Sequence, residues 1–559
     1  MRNHLTAFAG MQPRIEPHLL PMTSAQEAVN TKLWSGGIRS FNEPGYITDL
    51  AKHGTIKTIY RFGKSLDDDA LHWFHFVNDA DVTRGPIADD TQERTYYTEA
   101  GRPPMVTDST LATADGYMPS VGYRLGIPAP TARAGVTVTK APESEQGEAG
   151  TDAELERQAV LVAYTFVSGW GEEGPPNEVS DPVDAMTGDT LNLINMDGPP
   201  SGAYNITHKR LYVSLDDGSG DAQILRFWKE IPVGETTFSA ELDLTLLMDA
   251  LPVNDMVPPP EDMFGLMSHP GGFLVGFSGQ KVYRSEVFKP YGWPYFTPLA
   301  DDVVGGAVLG GATVVCTKGG TYMATQADPI TFNPIRLNGW QPCVSKRSIS
   351  VWQDAVVYAS PDGLVGVDQG GSMQVLTEAV LTRDQWQEYK PESMMTVVHD
   401  GRIFVFYDTG AKKGGIIFDL SGTTSGIIHI DVHATAAYAD GRRDALFLVT
   451  EDGKLHKWDA GANRLPKKWT SRRYVAVRPQ NVGAALVKAD GYPVQFDFHA
   501  VVETDDGPRD VHFSKAVRNA RAFRMPGHYR AREYQCTVTG TNDTLEIIMA
   551  STLGNVTAE

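Results

Sequence analysis

Cysteine is nearly missing from this 559-residue chain, which has only Cys316, Cys343 and Cys536. An odd number with no CxxC spacing excludes a disulfide framework and a thiolate zinc site, and it predicts folding in a reducing cytosol. Positive charge is also scarce. Against 69 Asp and Glu there are 49 Lys and Arg, for a net charge of −20. Nucleic-acid backbones are held by clustered cations, so a general nucleic-acid-binding surface is excluded. No apolar run approaches the roughly 18 residues a membrane-spanning helix needs. The first residues, 1–13, contain no apolar core of the kind that marks a secretory leader.

The signatures of enzymes are missing as well: no nucleophile elbow, no HExxH and no dinucleotide fingerprint. Gly63-Lys64-Ser65 has the ending of a phosphate loop, but Thr58 stands where that loop needs its first glycine. It reads as a turn with a surface lysine. His429 and His433 are spaced as helical metal ligands, yet their surroundings are strand-like, and there an i,i+4 pair stands about 13 Å apart. The runs Asp67-Asp68-Asp69 and Thr504-Asp505-Asp506-Gly507 lack the alternating ligands and distal Glu of a calcium loop, so they read as solvated turns. The chain is therefore expected to be no enzyme, with no catalytic, cofactor or metal residues.

What the chain has is turns and strand formers: 55 Gly, 35 Pro, 21 Tyr and 22 Phe. Three Asp-Gly pairs, at Asp362-Gly363, Asp400-Gly401 and Asp440-Gly441, each join two strand-like runs. Asp-Gly between apolar runs is a hairpin signal, because a type I′ turn needs positive φ at both central positions. Their recurrence at about 40 residues matches the length of a β-propeller blade.

The predicted fold is mainly β: a β-propeller with an inserted fibronectin type III-like β-sandwich and an N/C-terminal β platform. Residues 1–45 are expected to form an arm with a short helix after Pro13, Pro17 and Pro21. Thr23 or Ser24 would cap the helix, and Ala25, Ala28, Val29 and Leu33 give it partial periodicity. Residues 46–130 supply the first propeller strands, including 58–62 and 72–77. An acidic loop at 141–157 falls within the sandwich region, 131–255, whose strands include 160–167, 209–214 and 224–231. Residues 256–465 carry the remaining blades after the stiff Pro258-Pro259-Pro260 linker. Residues 466–559 form the β-rich platform, where 494–502 alternates cleanly.

A proline-studded arm cannot fold alone, so Phe8, Pro13, Leu19 and Leu20 are candidates for contact with a neighbouring subunit or partner. A basic cluster, Lys467, Lys468, Arg472 and Arg473, is followed by Arg518, Arg521, Arg524, Arg530 and Arg532. Arg472, Arg473, Arg521 and Arg524 are candidates for contact with an acidic partner or a second copy.

Three stretches carry a family resemblance. One is the arm from Phe8-Ala-Gly-Met-Gln-Pro-Arg to Pro21. A second is Asp81-Val-Thr-Arg-Gly-Pro-Ile-Ala-Asp-Asp-Thr-Gln-Glu-Arg-Thr-Tyr-Tyr-Thr. The third runs from Val282-Tyr-Arg-Ser-Glu through Trp293, Gly319-Gly-Thr-Tyr and Cys343-Val-Ser-Lys-Arg-Ser to Val357-Tyr-Ala-Ser-Pro-Asp-Gly-Leu. In this order they resemble the tail nozzle proteins of short-tailed bacteriophages, the tail tubular protein B-like group, over most of residues 8–465. The ending, from Met549, departs from that group.

The resemblance implies a structural virion protein, made and folded in the host cytoplasm. Six copies, each with a propeller, would ring a channel below the tail adaptor, and tail fibres or spikes could attach. DNA would leave through the channel without sequence-specific binding, past an acidic lumen. The rival expectations are a propeller tailspike-type glycan hydrolase or lyase, and a receptor-binding module.

Overall fold

The computed structural model describes residues 2–63, 67–141, 157–215, 224–251, 255–420, 426–505 and 507–557. Strand makes up 48% and helix 4%, so the chain is mainly β. It divides into two compact units: 1–79, 304–324 and 334–559 form the first, and 80–303 with 325–333 the second.

The first unit is built largely from four-stranded antiparallel meanders. One comprises Val303–Leu309, Ala312–Thr317, Thr321–Ala324 and Ile335–Arg336; the next comprises Ser350–Trp352, Ala355–Ser360, Gly363–Asp368 and Met373–Val375. A third comprises Met395–His399, Arg402–Asp408, Lys413–Asp419 and Gly426–Ile430. The fourth takes Ala436–Asp440, Ala445–Val449 and Lys454–Lys457, and completes itself with Gly45–Asp49 from far upstream. Inner strands such as Ala355–Ser360 and Arg402–Asp408 are covered on both faces, so they read as continuous apolar runs rather than alternating ones. The hairpin of Thr58–Arg61 and Trp73–Phe76 packs Ile59 and Trp73 against Phe447 and Leu455 of the fourth meander.

The three Asp-Gly turns are not equivalent. Asp400 and Gly401 both have positive φ, 50° and 72°, and close the first hairpin of the third meander as a two-residue turn. Gly363 is instead a strand residue paired with Ser360; Pro361 and Asp362 make that turn, which joins the second and third strands. Between Asp440 and Ala445 the loop has four residues, with Asp444 carrying the positive φ. The four-stranded meander recurs, but Asp362-Gly363 falls one hairpin later in its meander than the other two pairs.

The strands after 466 are joined by strands from the beginning of the chain. Val494–Thr504, Gly507–Val517, Ala531–Gly540, Lys467–Ser471 and Tyr474–Gln480 form one sheet region, and Arg2–Leu5, Thr544–Ala550, Ala484–Ala489 and Phe523–Arg524 form another. Phe496, Phe498, Val538, Val487, Ile547 and Met549 fill a common core. The expected short helix is absent: its place is taken by the strands Ala25–Val29 and Thr31–Lys32. Ala25–Val29 pairs with Lys467–Ser471 on one side and, through Val29 and His429, with the third meander on the other. A register shift between Ala25 and Glu27 turns Ala25 and Ala28 both inward. That bulge produces the three-residue apolar spacing that mimics a helix.

In the second unit, one meander comprises Ala80–Arg84, Thr95–Glu99, Met105–Thr107 and Tyr123–Arg124. Another comprises Phe264–His269, Phe273–Ser278, Lys281–Arg284 and Tyr295–Pro298. They share a core of Tyr96, Val106, Leu125, Met263, Leu274 and Trp293. Inserted between them in sequence is a two-layer sandwich. Gly135–Thr139, Thr190–Ile194 and Phe238–Glu241 form one sheet, and Val162–Ser168, Ile206–Leu215 and Ile224–Pro232 another. Tyr164, Leu191, Leu211, Val213 and Trp228 fill its core. The expected 46–130 segment is thus divided at 79/80, and the acidic loop lies, apart from its ends, outside the described residues.

Candidate functional site

The proposed contact residues separate into two groups. Phe8 is fully buried, its ring edge-on to Trp469 at 5.0 Å, and the Trp469 Nε1–H donates to the Ala9 carbonyl at 3.3 Å. Leu20 is also buried. These two are core residues of their own chain, not interface residues: the segment that cannot fold alone docks on its own platform. Pro13 is half-buried and accepts a hydrogen bond from Gln385 Nε2 at 2.9 Å.

Arg472 and Arg473 fasten the same segment. The Arg472 guanidinium donates to the His18 carbonyl and lies over the Tyr474 ring at 5.9 Å. The Arg473 backbone N–H donates to the Pro17 carbonyl at 3.0 Å, and its side chain meets Glu533 at 3.3 Å. Around them sits apolar surface open to solvent: Leu19 at 65%, Met22 at 50%, Val475 at 52% and Val477 at 93% exposure. Met22 contributes its sulfur to Arg472, Leu19 follows His18 and Val475 follows Tyr474 in sequence, so these three adjoin the two arginines, with Val477 two residues further along the same strand. Tyr474–Gln480 is a loosely paired strand, with its register broken between Val475 and Gln480. Arg521 and Arg524 are exposed but lie elsewhere, beside and within Phe523–Arg524 of the other platform sheet.

The basic cluster is not one surface. Lys467 is buried and donates to the Asn542 carbonyl, and burial lowers its pKa to about 8. Lys468 faces outward to Glu27 at 2.7 Å, as strand alternation dictates.

A cleft of about 520 Å³ in the first unit gathers ionic groups, among them Lys413, His433, Glu451, Asp452 and His456. Lys413 Nζ stands 3.1 Å from Glu451 and 3.4 Å from Asp408. Burial works to raise the Asp452 carboxyl, but hydrogen bonds from Thr450 Oγ1 at 2.6 Å, the Lys454 backbone and His456 outweigh it and hold it low. Burial lowers His433, opposed by a hydrogen bond with the Gly414 backbone. Lys413 is paired with Glu451 and Asp408, His456 with Asp452, and the Thr450 hydroxyl donates to Asp452.

The remaining motifs resolve individually. His429 is half-buried, lowered to about 4 chiefly by desolvation, and its Nε2 hydrogen-bonds the Tyr389 hydroxyl at 3.0 Å, while His433 lies beyond the strand in the cleft. Asp69 is no solvated turn residue but the partner of Arg61, Arg443 and Lys457. Lys64, Ser65 and Asp506 lie outside the described residues. Glu172 and Glu173, read as part of a turn-rich exit, point inward: Glu172 to Arg94 at 2.8 Å, Glu173 to Arg210 at 2.7 Å and the Tyr212 hydroxyl at 2.6 Å. The alternation that would have revealed this, after Val162–Ser168, is hidden by the glycines around them.

No known family matches this sequence, and no curated protein does. Among solved structures, similarity is recorded to an exo-β-1,3-galactanase from Phanerochaete chrysosporium, at 10% identity over 51% of this chain and 95% of that one, TM-score 0.21. BamB from Moraxella catarrhalis is 11% identical over 54% and 89%, TM-score 0.26. The computationally designed Ika8 protein is 9% identical over 74% and 99%, TM-score 0.26. None of these scores shows a shared fold, so the architecture rests on the strand pairing itself.

Proposed function

We propose that this chain is a structural tail nozzle subunit of a short-tailed bacteriophage, assembled as a homohexameric ring below the tail adaptor, with DNA passing through its channel. The observation that carries the reading is the exposed apolar surface beside Arg472 and Arg473. A chain that leaves Leu19, Met22 and Val475 open to solvent beside two arginines, and Val477 further along the same strand, has the composition of a subunit contact, where apolar groups and arginine are favoured. The ordered sequence phrases over residues 8–465 supply the identity of the assembly.

In this reading the meanders of the first unit are propeller blades, the fourth of them completed by Gly45–Asp49 beside Lys454–Lys457. The net charge of −20 would give the channel an acidic wall that repels DNA and lets it slide. Adaptor and fibre contacts belong to the exposed ends of the same ring, and the place of action is the virion tail.

Negative-stain images of the purified full chain, alone and with the adaptor, are expected to show six-fold rings. Val477→Asp is expected to abolish them with an unchanged circular dichroism spectrum. Particles that stay single chains under both conditions overturn the proposal.

A further inference from the structure

The platform carries a group of electron-pair donors that the nozzle reading does not use. Val494–Thr504 and Gly507–Val517 form a long antiparallel hairpin in unbroken register, with His499 opposite His512. Their rings stack at 4.6 Å with planes 8° apart. Asp510 lies two residues before His512 and so shares its face. Its Oδ1 is 2.7 Å from His499 Nε2. One ligand atom from each of the three lies within 4.8 Å of the others, the one such His, Cys, Asp or Glu group of three or more among the described residues.

A second observation comes from the neighbouring strand. Gln535 is opposite His499 on its other side, and directly opposed residues share a face. Its Oε1 is buried and has no hydrogen-bond partner. Gln535 is thus the cross-strand neighbour of His499, on the side away from His512.

We propose that His499, Asp510 and His512 form a binding site for a divalent transition-metal ion of the zinc class, clamping the two strands of the platform hairpin together. Two imidazoles and one carboxylate on one face suit zinc, cobalt or iron(II), whereas magnesium and calcium take oxygen ligands. Metal–nitrogen bonds of about 2.0–2.1 Å require the three groups to converge further, which side-chain rotation on a fixed ladder allows. His499 is partly exposed and the other two are open to solvent, so the ion would keep coordination positions for water or for a group of a neighbouring molecule.

The full chain, freed of metal by chelator, is titrated with Zn(II) by calorimetry and with Co(II) by visible absorption. One tight equivalent per chain is expected, with Co(II) bands shifted by imidazole ligation. Asp510→Asn and His512→Ala should each weaken that equivalent, the histidine change by more than about 100-fold, beyond what loss of an outer-sphere partner costs. Hydrogen exchange across 494–517 should slow with Zn(II) in the parent chain and stay unchanged in His512→Ala, a comparison that also reports whether the variant is folded. Equal Zn(II) stoichiometry and affinity in the parent chain and His512→Ala, or no Zn(II)-dependent protection of the hairpin, overturns the site.

Discussion

Each unit of this molecule buries a charge cluster, and the two clusters are unbalanced in opposite directions. In the first unit the Arg61 side chain is fully buried between the rings of Trp73 and Phe447, with Asp69 at 3.0 Å and Asp440 at 3.7 Å. Asp69 also takes Arg443 and Lys457, so three cations share two carboxylates. In the second unit Arg94 alone serves Asp90 at 2.7 Å and Glu172 at 2.8 Å. The lesson lies in how each surplus is relieved. A guanidinium keeps its proton at any working pH, so the first cluster depends on its carboxylates staying charged. A surplus carboxylate can take up a proton. Burial accordingly pushes Glu172 up to about 7 despite Arg94, while the cations around Asp69 overcome burial and hold it low.

The sharpest way to break this comparison is Asp69→Asn, which strands Arg61 with no route to neutrality. A loss of about 3–5 kcal/mol is expected, the range for removing one partner of a buried pair. A loss below about 1 kcal/mol in urea unfolding would show that Asp440 suffices alone. Arg94→Met should cost less, about 2 kcal/mol at pH 7, because Glu172 can answer by protonation. A cost equal to that of Asp69→Asn would end the asymmetry.

The smallest change is Glu172→Gln, and its signature is a slope. The folded state keeps the Glu172 proton up to about pH 7, whereas the unfolded chain releases it near 4.5. The folded state then binds more protons between these values, so this group's contribution makes stability fall as pH rises from about 4.5 to 7. Glu172→Gln should remove that slope and gain on the order of 1 kcal/mol at pH 8. Asp69 acts oppositely: its contribution is present above pH 3.8, the ordinary value, and is lost as pH falls through its lowered folded value. Parallel pH profiles for the two variants would refute the comparison.

The strands around Thr58–Arg61, Trp73–Phe76, Val162–Ser168 and Val494–Thr504 were legible, because β-branched and aromatic residues bounded by turn formers leave few alternatives. The 25–33 segment was not. Ala25 and Ala28 show a helical spacing only because a bulge turns both inward, and a bulge exists only where a partner strand does. Phe8 likewise has the composition of a free arm in sequence, yet Trp469 lies hundreds of positions away and closes over it. The His499 and His512 pairing was within reach. Counting outward from the Thr504–Gly507 turn places them opposite each other.

The sequence by itself determined the mainly-β class, the sandwich inserted between strand repeats, and the acidic charge balance, because these follow from local periodicity, turn chemistry and counting. Tertiary structure alone decided which turns are equivalent, that Arg2–Leu5 and Ala25–Val29 join the platform strands, and which carboxylates are buried with too few or too many cations. Those outcomes depend on contacts between residues far apart in the chain, and local propensity carries no record of them.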